Sequence, residues 1–296
     1  MKIATAAYPL DVLPIWAAYE DKLTRWVDDA ASNGADLLVF PEYGAMELAT
    51  LAGPDVAADL EASLHAVAER LGEADALHAH LAQQFGVHVL AASGPATDAL
   101  PDDVTRPVNR ARLFTPQGRV GVQDKQVMTR FEAEVWDVVP GGPLQLFDTA
   151  LGKIGILICY DSEFPMLGHA LKEADLILVP SVTEAITGFT RVEIGARARA
   201  LENQCVTVMS SVVGAAPWSE AVDISVGAGG VFGPPDVGFP PTGVITQGEM
   251  NAPGWVYGDV DLSAVAHVRR DGGVLNRRDW AASAVRADPV TVTSLA

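Results

Sequence analysis

The stretch GILICYDSEFP, Gly155 to Pro165, is an apolar run that reads as a buried strand, yet it ends on a cysteine followed by polar residues and a proline. Such a strand delivers the thiol of Cys159 to a strand-to-helix turn at a sheet edge, where neighbouring groups tune its reactivity. Three further residues stand at the ends of predicted strands or in adjoining loops: Glu42 in LVFPEYG, Lys125 in VGVQDKQV and Glu134 in RFEAEVWDVVPGG. Strand ends on one edge of a sheet converge in space even when they are distant in sequence. A carboxylate brought beside a thiol takes its proton, while an ammonium lowers the thiol's pKa and stabilises charge developing on a substrate oxygen. The backbone N–H of Tyr160, where the turn begins, is placed to be a second donor to that oxygen. Together these groups describe an acyl-transfer site. Singly, each has an ordinary explanation: a Glu after Phe-Pro is solvated, a Lys on a hairpin arm faces water, and a Cys ending an apolar strand is packing material.

The elements that would position these residues are short β-like runs alternating with helical stretches. KIATAAY and ADLLVFP flank a periodic segment from Ala17 to Ala31, and GVHVLAAS follows a long amphipathic stretch from Val56 to Phe85. VNRARLFTPQGRVGVQDK predicts two strands around a turn at Pro116 to Gly118. GKIGILIC, a helix after Phe164, ADLILVP, a helix across Arg191 to Asn203, CVTVMSSVV and a final strand at GWVYGDVDL complete the pattern. Hairpins mixed with crossover helices predict an α/β chain of mixed sheets covered by helices, with two sheets packed together. The Gly/Pro-rich tract from Ser225 to Gly243 is the one long irregular segment, a glycine-rich turn between strands; Pro234 and Pro235 stand where a phosphate cradle would need a helix to begin.

Composition bounds the function. With 49% hydrophobic and 20% charged residues in 296, the chain is an ordinary globular one, and nothing along it looks like a linker. One domain covering residues 1–296 is expected, with a C-terminal tail from about residue 265. A net charge of -18 repels phosphates and anionic headgroups, so neither nucleic acid nor a membrane surface is an expected partner. No apolar run approaches the ~20 residues that span a bilayer, and Pro9 and Asp11 interrupt the N-terminus before a signal-peptide core forms. With two cysteines far apart in sequence, a reduced, cytoplasmic location is expected. His78 and His80 are two apart and no Cys-x-x-Cys exists, so no metal site and no cofactor is expected; Cys205 reads as buried packing.

In order and spacing these segments resemble the nitrilase superfamily of carbon-nitrogen hydrolases. GADLLVFPEYG is similar to the family's general-base segment and implicates Glu42; VQDKQVMTRFEAEVW resembles the catalytic-lysine segment and implicates Lys125; GKIGILICYDSEFP resembles the nucleophile segment and implicates Cys159. RARALENQCVTV resembles the helix-to-strand passage that follows, and the likeness runs from about Met1 to near Leu262. The family's second glutamate falls on Glu134, counted back from Pro140-Gly141, with Glu132 as the alternative. There are departures. Where the family commonly continues Phe-Pro-Glu and then an arginine, this chain has Met166 and His169, and GAGGVFGPPD is closest to a branch sometimes fused to an N-acetyltransferase domain, for which 296 residues leave no room.

The resemblance implies a four-layer αββα sandwich, a homodimer or higher homo-oligomer that the tail, through Arg277, could cross, and a small-molecule amide substrate hydrolysed through a thioester. Alternatives are a nitrile substrate passing through a thioimidate, a Cys-His hydrolase using His169, and a non-catalytic oligomeric binding protein. Substrate choice is expected in YGAMELATLAGP, SVTEAITGFT and the Gly/Pro tract, with Glu184, Arg191 and Trp218 as residues whose place relative to the pocket is open.

Overall fold

A computed structural model of the chain describes residues 1–287 and 290–295. Its first half holds β1 (Lys2–Pro9), α1 (Trp16–Ser32), β2 (Leu37–Val39), α2 (Pro54–Ala58), α3 (Leu60–Phe85), β3 (His88–Leu90), β4 (Gly94–Ala96), β5 (Val108–Phe114) and β6 (Val120–Asp124). Then follow β7 (Leu146–Thr149), β8 (Gly152–Ile156), α4 (Pro165–Ala170), β9 (Leu176–Ser181), α5 (Ile186–Asn203), β10 (Val206–Ala215) and β11 (Ile224–Ser225). The chain closes with β12 (Gly230–Phe232), β13 (Val244–Gln247), β14 (Gly254–Asp259), α6 (Leu262–Asp271) and α7 (Asn276–Ala287).

The strands form one mixed sheet in two halves. The first runs β6, β5, β3, β2, β1, β14, with β4 sharing an edge of β5; the second runs β7, β8, β9, β10, β12, β13, with β11 at the far end of β10. They join where Ala7–Pro9 of β1 pairs in parallel with Ser211–Val213 of β10, beyond the stretches that pair with β2 and β12.

Period-two alternation assigns the faces. Ile3, Leu37, Val39, Leu90 and Leu113 pack in one cluster with Ile154, Ile156, Val208 and Val231 of the second half, so these faces oppose each other. Ala4, Ala6, Leu38 and Val89, one position out of step, pack instead against Leu23 and Val27 of α1 and Leu64, Val67 and Leu81 of α3. Phe189, Val192 and Ala196 of α5 cover the second half. The order helices, sheet, sheet, helices is the expected αββα sandwich. Thr5 bridges the sheets by donating its hydroxyl to the Met209 carbonyl at 2.6 Å, and a Cβ on Gly229 would lie 2.9 Å from Thr5 Cγ2, which explains a glycine there.

Some elements differ from expectation. The Gly/Pro tract contains β12 and leads into β13; its glycines permit close approach of backbone within the sheet, as at Gly229. The segment beyond residue 262 forms α6 and α7, two helices in the place of the tail expected from about residue 265. α7 lies on the same chain: Arg277 pairs with Glu173 and donates to the Lys172 carbonyl, and Trp280 packs over His169 with ring centroids 4.4 Å apart. The tail's Asp288, Pro289 and Ala296 lie outside the described residues. No helix among the described residues is long and apolar enough to cross a membrane.

Behind the β2 strand end, a 3-10 segment (Gly44–Ala52) is pinned to the core by a buried ion pair. Glu47 Oε2 accepts from Lys22 Nζ at 2.6 Å and its Oε1 from the Tyr8 hydroxyl at 2.7 Å. Burial raises the Glu47 carboxyl while Lys22 and Tyr8 oppose the rise, and the Lys22 ammonium sits 4.3 Å from the Tyr8 ring centroid.

Candidate active site

Each candidate side chain is released by the end of a strand. Pro41, which has no N–H for the ladder, stops β2 two residues after Val39, and Glu42 follows. Lys125 is the first residue past β6. Cys159 lies three residues past β8, at the start of a 3-10 turn (Cys159–Glu163), with its backbone in the left-handed region at φ 48°. A non-glycine residue there stores about 1–3 kcal/mol of strain, which persists only where surrounding bonds hold it. Here the Ser162 hydroxyl donates to the Cys159 carbonyl at 2.7 Å, and the Arg199 guanidinium donates to the Ser162 carbonyl at 2.9 Å.

Glu42, Lys125 and Cys159 meet in one buried cluster. The Lys125 ammonium donates to Glu42 Oε1 at 2.7 Å. Asn109 donates to the same oxygen at 3.0 Å, and the N–H of Val182 donates to Glu42 Oε2 at 3.0 Å. The thiol of Cys159 reaches the Val182 carbonyl at 3.6 Å. Val182, just past β9, therefore holds the carboxylate through its N–H and the thiol through its carbonyl.

The second glutamate requires a correction. Glu134 was expected beside Lys125, but its side chain is 59% exposed and accepts from Arg130 Nε at 2.8 Å on the surface. Glu132 occupies the place: its oxygens accept from Lys125 at 2.8 and 2.6 Å, from the Tyr43 hydroxyl at 2.9 Å, and from the N–H and hydroxyl of Thr129 at 2.9 and 2.8 Å. The cause lies in the backbone. Residues Glu132–Trp136 form a wide π turn, Asp137 is left-handed at φ 56°, and the Val138 N–H reaches back to the Glu132 carbonyl at 2.9 Å. That turn takes up chain between the glutamate and Pro140-Gly141, so counting back from the Pro-Gly lands two residues late.

Burial and charge then divide the protons. Burial raises the Glu42 carboxyl above its ordinary value although Lys125 opposes this. Burial, with the Glu42 charge adding to it, pushes the Cys159 thiol well up. Burial alone would depress the Lys125 ammonium, but Glu42 and Glu132 overcome it and hold the group above the usual lysine value. Burial would raise Glu132 too; Lys125 and the bonds from Thr129 reverse that and hold it low. The resting cluster is a neutral thiol, an ammonium locked to Glu132, and a carboxylate at Glu42 with raised proton affinity.

The cluster floors a cleft of about 290 Å³. Phe131, Trp136, Val192 and Val222 supply apolar wall, and Glu163, Glu184 and Arg191 supply charge. Arg191 Nε lies 3.4 Å from Glu163 Oε1. SVTEAITGFT contributes Val182, Thr183, Glu184, Ala185, Thr187 and Gly188, whereas YGAMELATLAGP contributes Tyr43 alone. The Gly/Pro tract and Trp218 do not line the cleft; Ala221, Val222 and Ile224, which carried no sequence signal, do. Tyr160 is in the lining and His169 is not, being packed under Trp280. Among the described residues no group of three His, Cys, Asp or Glu is arranged to hold a metal.

Comparison with known proteins agrees with the geometry. The family model of carbon-nitrogen hydrolases matches residues 4–270. A probable hydrolase of Bacillus subtilis is 31% identical over 284 residues, covering 94% of this chain and 53% of its own length. A deaminated glutathione amidase of Yersinia enterocolitica is 33% identical over 147 residues, covering 45% of this chain and 50% of its own. The chain thus spans about half the length of these two relatives. An omega-amidase of Mus musculus is 25% identical over 306 residues, with 99% of each covered. Among solved structures, an amidase from Nesterenkonia superposes with a TM-score of 0.66 at 21% identity, covering 97% of this chain and 95% of that one. A branch 10 nitrilase-superfamily member from Saccharomyces cerevisiae gives 0.67 at 20% identity, covering 91% and 93%.

Proposed function

This chain belongs to the carbon-nitrogen hydrolase family, and we propose that within it the protein is a cysteine-dependent amidase that releases ammonia or an amine through a thioester. The observation that carries the proposal is the buried Glu42, Lys125 and Glu132 network beside the Cys159 thiol, at the floor of a cleft sized for a small molecule. Glu42, whose proton affinity burial has raised, takes the proton of Sγ, and the thiolate attacks the amide carbonyl carbon. Lys125, held by Glu132, and the N–H of Tyr160 receive the oxygen as it becomes negative. The carbon-nitrogen bond breaks as the Glu42 carboxylic acid gives its proton to the leaving nitrogen, and a thioester remains. Water then gives a proton to Glu42 and attacks the thioester carbonyl; the carboxylic acid leaves and the thiol regains its proton.

Amidase names among the relatives favour an amide over a nitrile. In a mutant of the Nesterenkonia amidase, acrylamide is joined to the active-site cysteine by Michael addition, which alkylates the thiol and is not amide hydrolysis; it supports only a nucleophilic thiol of the kind proposed for Cys159. Residues 1–296 acting as one hydrolase domain, a homodimer and a cytoplasmic location belong to the same proposal; light scattering tests the dimer. The deciding experiment is ammonia release from short aliphatic amides, ω-amidated dicarboxylates, carbamoyl amines and nitriles, with Cys159→Ala and Glu42→Gln in parallel. Turnover of an amide by the wild type, lost in both variants, is expected. Turnover of nitriles alone would replace the amide reading, and silence across the panel with an unreactive Cys159 would overturn the enzyme.

A further inference from the structure

Three buried acids, Glu47, Asp124 and Asp161, take no part in this chemistry; the first two are paired with Lys22 and Arg110. Asp161 is 1% exposed, two residues beyond the nucleophile, and forms no ion pair among the described residues. Its carboxylate is solvated by backbone amides. Oδ1 accepts from Val127 N–H at 2.8 Å and Gln126 N–H at 3.1 Å; Oδ2 accepts from Gln126 N–H at 3.2 Å and Ile158 N–H at 3.3 Å.

The origin of these donors matters. Gln126 and Val127 are the two residues that follow Lys125, and Ile158 is the residue that precedes Cys159. A single carboxylate therefore grips the chain immediately beside the lysine and immediately beside the thiol, segments 35 residues apart at Gln126. Three further bonds extend the grip. The Asp161 N–H returns to the Ile158 carbonyl at 3.0 Å, so the pair encircles the strained Cys159. The Gln126 side chain donates to the Asp124 and Gly142 carbonyls, both at 2.7 Å, so its backbone N–H is fixed where the carboxylate meets it.

Resting on the amidase reading, we infer that Asp161 is a positioning residue that sets the separation of the Lys125 ammonium from the Cys159 thiol by clamping both segments through their backbone N–H groups. The chemistry demands a carboxylate. Both oxygens accept, and the amide nitrogen of an asparagine would confront at least one N–H with another donor. Burial pushes the Asp161 carboxyl up to about 7, against the pull of Lys125 and of the three amides. The clamp costs ionisation energy, as expected of a group retained for geometry.

Asp161→Asn is nearly isosteric, and its expected effect is a loss of about 10- to 100-fold in kcat, because small displacements of reacting groups are that costly. KM should stay within about twofold, since the walls that bind substrate lie elsewhere. Asp161→Ala should lose more. A folded Asp161→Asn with unchanged kcat, or one whose kcat and KM shift together with a large drop in melting temperature, would overturn the inference. Hydrogen exchange on the wild type tests the clamp without any variant. The amides of Gln126, Val127 and Ile158 should exchange as slowly as those of β8 and β9, and exchange at loop rates would overturn it even if neither variant folds or no amide is turned over. A wild type inactive on amides with slow exchange at these three positions would sink the amidase reading and leave the clamp standing.

Discussion

Lys125 Nζ lies 2.6 Å from Glu132 Oε2, while Glu134, two residues further on, faces solvent and holds Arg130. The pair is fixed from both sides, by Thr129 and Tyr43 on the glutamate and by Glu42 on the lysine.

Glu132→Gln should therefore lower kcat by about 10- to 100-fold, because the neutral amide no longer holds the ammonium and leaves buried donors unpaired. Glu134→Gln should change kcat by less than about twofold and stability by less than about 1 kcal/mol, the worth of an exposed ion pair. Steady-state kinetics with urea denaturation on both variants separates the two residues; equal losses would return the role to Glu134.

The two cysteines should react differently. Burial raises both thiols, so access decides: acrylamide or iodoacetamide near neutral pH should label Cys159, which lines the cleft beside Glu42 and Lys125, and spare Cys205, which is fully buried away from the cleft. Peptide mass spectrometry after limited labelling reads the ratio, and Cys205 should become reactive only on unfolding.

Activity should fall on the acid side at a pH above that expected for an ordinary glutamate. Burial raises the Glu42 carboxyl from its usual value near 4.5, and only the ionised form takes the thiol proton. A raised pKa means the ionised form is lost at higher pH, so kcat/KM should decline as pH is lowered through that raised value. A pH-rate profile at constant ionic strength tests it, and an inflection at or below 4.5 would show that the base is not Glu42 in this setting.

Lys22→Met should destabilise the fold by about 3–5 kcal/mol, since Glu47 would remain buried without its cation. The 3-10 segment that Glu47 anchors follows Glu42 directly, so the variant should also lower kcat under conditions where it stays folded. Urea denaturation and kinetics on the same preparation measure the two effects.

His169→Ala should leave kcat within about twofold, because the ring packs on Trp280 away from the cleft; the lost stacking is worth about 0.5–1.5 kcal/mol. A collapse of kcat without unfolding would revive the Cys-His alternative.

The sequence is legible where the local chemistry has one outcome. Pro116 to Gly118 made the β5–β6 hairpin readable, and apolar strands ending on Glu42, Lys125 and Cys159 pointed to convergence at one edge. It misleads where a backbone detour intervenes. The π turn at Glu132–Trp136 moved the second glutamate, and no residue type announces such a turn. The glycines around β12 looked like loop because a strand crowded by Thr5 and Val256 cannot carry side chains there. The wall residues Ala221, Val222 and Ile224 flank Asp223 in a stretch without periodicity, so only the folded chain could assign them.

Val182 binds Glu42 and Cys159 through main-chain atoms alone, while its partly buried side chain packs against the apolar cluster that includes Trp136 and Val222 of the cleft wall. Apart from proline, which removes the N–H, a replacement at this position keeps the donor and the acceptor of both tethers and changes the packing that supports that wall. Residue 182 is thus a natural first position for a saturation library aimed at new acyl preferences, because it separates the atoms that hold the reactive groups from the side chain that packs beside them.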